Sequence, residues 1–143
     1  MADATPRLRR ITLAVLPFRP SAVAQSDGDG SHIADDIIVR AIRTGKFSVV
    51  ERHRIDDVFK ELQLTDVAPI DEATAARIGH LVGANVLVFG SYTSSNGQRT
   101  VSIRLVKVET GEVLAGDTET GTSSVLKLAG DSFEKIASSV PAN

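Results

Sequence analysis

The sequence predicts an α/β fold: a mixed five-stranded sheet with helices on its faces, in the order β-α-β-α-α-β-β-β-α. Three observations carry this. Two short, nearly continuous apolar runs, Ile11 to Leu16 and Val86 to Phe89, have the character of strands covered on both faces. The stretches between them repeat apolar residues at helical spacing. After the second run comes Asn96-Gly97, the strongest short hairpin signal, followed by alternating residues.

The first strand, Ile11-Thr12-Leu13-Ala14-Val15-Leu16, ends at Pro17, which cannot donate to a ladder, and its apolar character places it centrally. Arg19 to Gly30 collects Pro, Ser, Gln, Asp and Gly and reads as a loop outside the carboxyl end of that strand. Ser31 then caps a helix whose inward residues are Ile33, Ile37, Ile38, Ala41 and Ile42, closed by a left-handed Gly45. Phe47 to Val50 forms a strand parallel to the first, completing a right-handed β-α-β unit. A second helix buries Ile55, Val58, Phe59 and Leu62 and pairs Asp56 with Lys60 on its surface.

Gln63 to Ile70 connects to a third helix, capped by Asp71, with Ala75, Ile78, Leu81 and Val82 inward. Gly83 stops that helix and Gly79 permits close packing. Beyond the Asn96-Gly97 turn, Val101, Ile103 and Leu105 alternate with Ser102 and Arg104. Val106 and Val108 then switch the apolar parity, through a bulge or a change in cover. Glu109 to Glu112 turns the chain into a strand near Val113 to Thr120, and a helix from Ser124 to Ser138 turns Val125, Leu128, Ala129, Phe133 and Ile136 inward. Residues 1–10 read as an N-terminal tail and 11–140 as one α/β domain.

Composition agrees with one folded core: 143 residues, 42% hydrophobic and 24% charged. The absence of cysteine excludes a disulfide framework, a thiol nucleophile and Cys-ligated zinc. A formal net charge of −2 argues against nucleic-acid binding by bulk charge. No apolar run approaches the roughly 18 residues needed to span a bilayer as a helix, so a soluble chain without a membrane span is expected. Met1 to Arg10, with three arginines, leads into a strand rather than a secretory signal.

Several segments in order carry a family resemblance. Leu13-Ala14-Val15-Leu16-Pro17-Phe18, Thr44-Gly45-Lys46-Phe47 and Val49-Val50-Glu51-Arg52 followed by Ile55 make up its first half. Ala76-Arg77-Ile78-Gly79, Val82-Gly83-Ala84-Asn85 through Ser91, and Val106-Lys107-Val108-Glu109-Thr110-Gly111-Glu112-Val113-Leu114 make up its second. The pattern resembles the CsgG-type curli-secretion and TolB N-terminal domain superfamily, with Asn85 where that pattern has Asp. These positions are turns, caps and core, so they specify fold more than function.

The resemblance implies the TolB N-terminal, anticodon-binding-like arrangement and a non-enzymatic, assembling role. The superfamily includes outer-membrane secretion channels, flagellar-envelope lipoproteins and activators of wall-building enzymes. Its channel members grow long hairpins, whereas the hairpins here turn within Ser94 to Gln98 and Glu109 to Glu112. The implied function is a protein-interaction domain of the cell envelope, periplasmic or envelope-associated, with protein partners and a homo-oligomer suggested by ring-forming relatives. The alternatives are a sensory or regulatory module of a larger cytoplasmic signalling protein, and a small hydrolase with an unrecognised site.

The residues offer little chemistry. Asp27-Gly28-Asp29-Gly30-Ser31 resembles the start of a calcium loop, but His32 then falls where the loop needs Gly and Ile38 where it needs Glu. His32, His53 and His80 lack the four-residue spacing of a helical metal pair, and no Gly-x-Ser-x-Gly elbow or phosphate-cradling Gly motif is present. Arg40, Arg43, Arg52 and Arg54 read as solvated helix faces because Asp56, Asp57 and Glu61 lie close by. No catalytic residue, metal or cofactor is therefore expected. The candidate partner contacts are Arg19, Gln25, Asp27 and Asp29 in the long loop, and Glu51 and Arg52 at a strand-to-helix junction. For the Glu51-Arg52 pair a structural tie by bidentate hydrogen bonding competes with partner contact.

Overall fold

In the computed structural model the described residues are 10–21, 29–64 and 70–140. The first apolar run forms β1 (Ile11–Val15), and the chain resumes as β2 (Arg19–Pro20). Then come α1 (Asp29–Thr44), β3 (Phe47–Val49), α2 (Arg52–Glu61) and α3 (Glu72–Val82). The chain finishes with β4 (Val86–Ser95), β5 (Gln98–Lys107), β6 (Val113–Gly121) and α4 (Val125–Ala137). Five strands run in the order β3-β1-β4-β5-β6, parallel through β3, β1 and β4 and antiparallel from β4 onward.

The sixth strand corrects the expected count of five. β1 pairs with β4 up to Val15↔Val88, Leu16 still donates to the Val88 carbonyl, and Pro17 interrupts the ladder. Pairing with β4 then resumes at Arg19↔Ser91 and Pro20↔Tyr92. Arg19 is therefore a strand residue, 4% exposed, rather than the start of a free loop.

Alternation along the strands sends side chains to two cores. Leu13, Val15, Val88, Ile103 and Leu105 meet α1 and α4 through Ile33, Ile37, Leu128 and Phe133. Ala14, Leu16, Leu87, Phe89, Val106 and Val108 meet α2 and α3 through Ile55, Phe59, Ile78 and Val82. Each large apolar side chain taken fully from water contributes about 1.5–3 kcal/mol, so both layers stabilise the sheet.

Local chemistry places the helices. Asp71 accepts a hydrogen bond from the Thr74 amide at 2.8 Å, capping α3 as expected, and Ser124 accepts from that of Lys127 at 3.2 Å, capping α4. Gly83, at φ 78°, ends α3 in the left-handed region. A Cβ on Gly79 would stand 2.5 Å from Val108 Cγ2, so the expected close approach of α3 to the sheet is real. Asn85 Oδ1 accepts from the Thr12 amide at 2.9 Å, fastening the start of β4 to β1 with an acceptor that Asp would also supply. The Asn96-Gly97 turn forms with φ of 52° and 79°.

The parity change in β5 comes from a change in cover, since pairing with β4 runs unbroken through Leu105 and Val106 and the irregularity lies on the β6 side. The β5–β6 register shifts between Leu105 and Val106, and α3 covers the face that takes Val106 and Val108.

Four details differ from expectation. α1 begins at Asp29, so Ser31 lies inside the helix rather than at its cap; the Gly30 carbonyl accepts from the Phe18 amide. Ile42 is 58% exposed, because nine residues beyond Ile33 a helix has turned about 180° to the opposite side. Leu81 is 43% exposed on the flank of α3. Asp56 lies 3.8 Å from Arg52, one turn back on α2, instead of pairing with Lys60.

Candidate functional site

The two halves of the Glu51-Arg52 junction diverge. Arg52 donates from Nη1 to Asp35 Oδ1 at 2.7 Å and from Nη2 to Ser31 Oγ at 2.6 Å. It thus ties α2 to the first turns of α1, a helix rather than the expected loop, by charge-assisted hydrogen bonds. Glu51 precedes α2 without a side-chain cap bond and stays exposed, 3.5 Å from His53 Nδ1. Asp29 opens α1, while Gln25 and Asp27 lie outside the described residues. Arg19 sits in β2 with its guanidinium 4.9 Å from the centroid of the Phe59 ring, a cation–π contact in a buried setting.

A different surface emerges from the sheet itself. α3 packs on β4 and β5, and α2 packs on α3, so helical cover on that side stops short of β6. Beyond it the sheet presents hydroxyl side chains in register: Ser91↔Ser102↔Thr118 and Thr93↔Thr100↔Thr120. Ser102 and Thr118 hydroxyls are 3.2 Å apart, and those of Thr100 and Thr120 are 3.1 Å apart. These bonds lock neighbouring side chains into one polar plane, with Thr118 and Thr120 exposed.

At the foot of this plane, just before α3 begins, lies a pocket of ≈ 440 Å³. Arg19, Phe89, Ser91, Ser102, Arg104 and Ile70 line it together with neighbouring backbone and prolines. Arg104 Nη1 stands 3.3 Å from Glu72 Oε2, and both side chains are about half exposed.

The opposite face is built for stability. Arg40 on α1 donates to Asp36 at 2.8 Å and to Glu134 of α4, and its guanidinium lies where a Cβ on Gly130 would stand. The hydrogen bond to Asp36 raises the Arg40 pKa despite partial burial. Burial pushes the Asp117 carboxyl up, but the hydrogen bond from Ser132, its coupling to the neighbouring Glu119 and the charge of Lys135 bring it below its ordinary value. Lys46 Nζ donates to the carbonyls of Ala137 and Val140, both at 2.9 Å, closing the C-terminal end of α4.

His32, His53 and His80 are exposed on helix surfaces, as expected. Among the described residues no group of three or more acidic or His side chains is placed to hold a metal ion.

A family model for the curli production assembly/transport component CsgG matches residues 5–96, well over half of the chain. The chain belongs to the CsgG family. Its fold recurs in the LpoB C-terminal domain from Escherichia coli, with a TM-score of 0.59 and 18% identity over 79% of this chain and 83% of that one. The lipoprotein GNA1162 from Neisseria meningitidis gives 0.57 and 14%, over 90% and 96%. The PelC dodecamer from Paraburkholderia phytofirmans gives 0.53 and 18%, over 94% and 91%. At these identities the likeness is one of fold. No curated protein matches this CsgG-family chain in sequence.

Sequence reasoning missed the pocket and the hydroxyl plane. The usable signal is the polar half of the β5 alternation, Thr100, Ser102 and Arg104, which marks the stretch of that strand face beyond the helical cover at Val106. Thr118 and Thr120 on β6 repeat it.

Proposed function

We propose that residues 11–140 act as a non-catalytic protein-interaction and assembly domain of the bacterial cell envelope, without a membrane channel. The observation that carries this reading is the rigid hydroxyl plane of β4, β5 and β6, left open beside a helix-covered half of the same sheet. Membership of a family described as an assembly and transport component supports it. So does the sharing of the fold with a protein titled a lipoprotein and with one titled a dodecamer.

A hydrogen-bonding plane suits a protein partner. It offers donors and acceptors at fixed positions and loses little side-chain entropy on contact, because its β5 and β6 hydroxyls are already paired across those strands. Both hairpins that would have to grow into membrane-spanning strands turn tightly, at Asn96-Gly97 and at Glu109 to Glu112.

The test is the cell fraction and intact assembly mass of the native protein. The expected result is recovery with the envelope in an assembly well above the 15.2 kDa of one chain. Recovery as part of a much larger cytoplasmic polypeptide overturns the reading in favour of a regulatory module.

A further inference from the structure

We propose that the outer edge of β6 takes up an extended segment of a partner protein as an added strand, one that alternates small hydroxyl residues with Lys or Arg. The two edges of the sheet differ. β3 closes one end with three residues, Phe47–Val49, and a strand that short offers few groups to pair. β6 closes the other with nine residues that include neither Lys nor Pro. Among the described residues β5 holds its inner side and α4 packs on one of its faces, so the row of backbone N–H and C=O groups on its outer side stands open. Such a row is a template for another chain.

Register limits where the added strand lies. Leu105 pairs with Ala115 and Val106 with Val113, so Leu114 bulges out and bends the start of the edge. From Ala115 to Gly121 the pairing is regular. Side chains then select the sequence. On the open face Thr118 continues the row of Ser91 and Ser102, and Thr120 that of Thr93 and Thr100. A neighbouring strand extends both rows, and cross-strand hydroxyl pairing favours Ser or Thr there.

On the opposite face Asp117 and Glu119 pair with Ile103 and Val101, beside α4. Ser132 donates to Asp117 at 2.7 Å and Lys135 donates to Glu119, which leaves each carboxylate with further acceptor capacity. Basic residues opposite these two carboxylates, spaced with the strand period of two, complete the match. The same carboxylates argue against a second copy as the occupant. β6 laid antiparallel on another β6 sets acid against acid, and like charges directly opposite destabilise a sheet pair.

An added strand rests on the interaction reading above and names the form of its partner. The experiment titrates the ¹⁵N-labelled protein at neutral pH and low salt with the peptide amide Ac-Thr-Lys-Thr-Lys-Thr-Lys-Thr. Saturable shifts from Ala115 to Gly121 and slowed exchange of alternate β6 amides are expected, with a Kd of roughly 1 mM or tighter. The same peptide N-methylated at two adjacent central residues keeps its charge but cannot complete the ladder, and binds at least about tenfold more weakly. Exchanging every Lys of the peptide for Glu abolishes binding, and Asp117→Asn combined with Glu119→Gln weakens it about three- to tenfold.

Equal binding of the N-methylated peptide, undiminished binding by the folded double variant, or shifts that avoid β6 overturn the proposal. So does a concentration-dependent dimer of the free protein with its newly protected amides in β6, which gives the edge to a second copy. An envelope assembly recovered from cells without any peptide pairing at β6 overturns the added strand alone. Recovery within a larger cytoplasmic polypeptide overturns the interaction reading whatever the peptide does.

Discussion

The two faces of the sheet differ in how completely they are roofed. On one, α1 covers β1 and β3 while α4 covers β5 and β6, and the two helices pack against each other. On the other, α2 and α3 leave the hydroxyl rows of β4, β5 and β6 uncovered. The roofed face buries Phe133, Ile103, Leu105 and Leu128 and adds charged ties such as Arg40 to Asp36. The half-roofed face stops burying apolar groups after Val106 and Phe89 and turns to serine and threonine. One strand thus serves both ends: β5 sends Val101, Ile103 and Leu105 to the roofed core and Thr100, Ser102 and Arg104 to the other face, where α3 covers only the Val106 end.

If that division holds, substitutions should separate accordingly. Phe133→Ala, at 1% exposure under α4, is expected to cost about 3–5 kcal/mol, read as a fall in the denaturant midpoint with an unchanged slope. Gly79→Ala forces a methyl against Val108 and Leu87 and should cost about 1–3 kcal/mol in the same assay. Lys46→Met removes the two bonds that close α4 and should cost about 1 kcal/mol, with faster amide exchange at Val140. Thr118→Val and Thr120→Val on the open plane should stay within about 0.5 kcal/mol of the parent protein. A loss from Thr118→Val as large as that from Phe133→Ala would break the comparison.

Acid sharpens it at the smallest scale. The backbone hydrogen bond from Thr74 holds the Asp71 pKa below its ordinary 3.8 in the folded protein. Its contribution to stability is therefore fully present above that value and is lost as pH falls below it toward the lowered one. Hydrogen exchange along α3, followed through this window, should show its first turn loosening in the parent protein and no such pH dependence in Asp71→Ala.

Much of this architecture was legible because local signals agreed. Asp71 and Gly83 bound α3, Asn96-Gly97 sets a hairpin, and continuous apolar runs mark the two central strands. Periodicity failed where a helix is longer than the surface it covers. Ile33, Ile37 and Ala41 keep to the core side of α1, but Ile42 belongs to the opposite side of the same spiral. Composition failed at Arg19, where a polar-looking stretch opens with a strand whose partner, Ser91, lies more than seventy residues away. The pocket is illegible for the same reason: β2, β4, β5 and Ile70, just before the α3 cap, each contribute a wall, and a non-local register assembles them. Arg52 stands out at its strand-to-helix junction, but its partners Ser31 and Asp35 on α1 follow from packing and not from spacing.

The most direct test of the central claim is position-resolved photo-crosslinking in the cells that encode this protein. A benzoylphenylalanine is placed at Thr118 on the open plane and, in a matched variant, at Arg54 on the exposed side of α2. The account predicts one discrete adduct with an envelope protein from position 118 and none from position 54, with both variants folding like the parent. A discrete adduct from position 54 with none from position 118 would contradict it and move recognition to the helical layer.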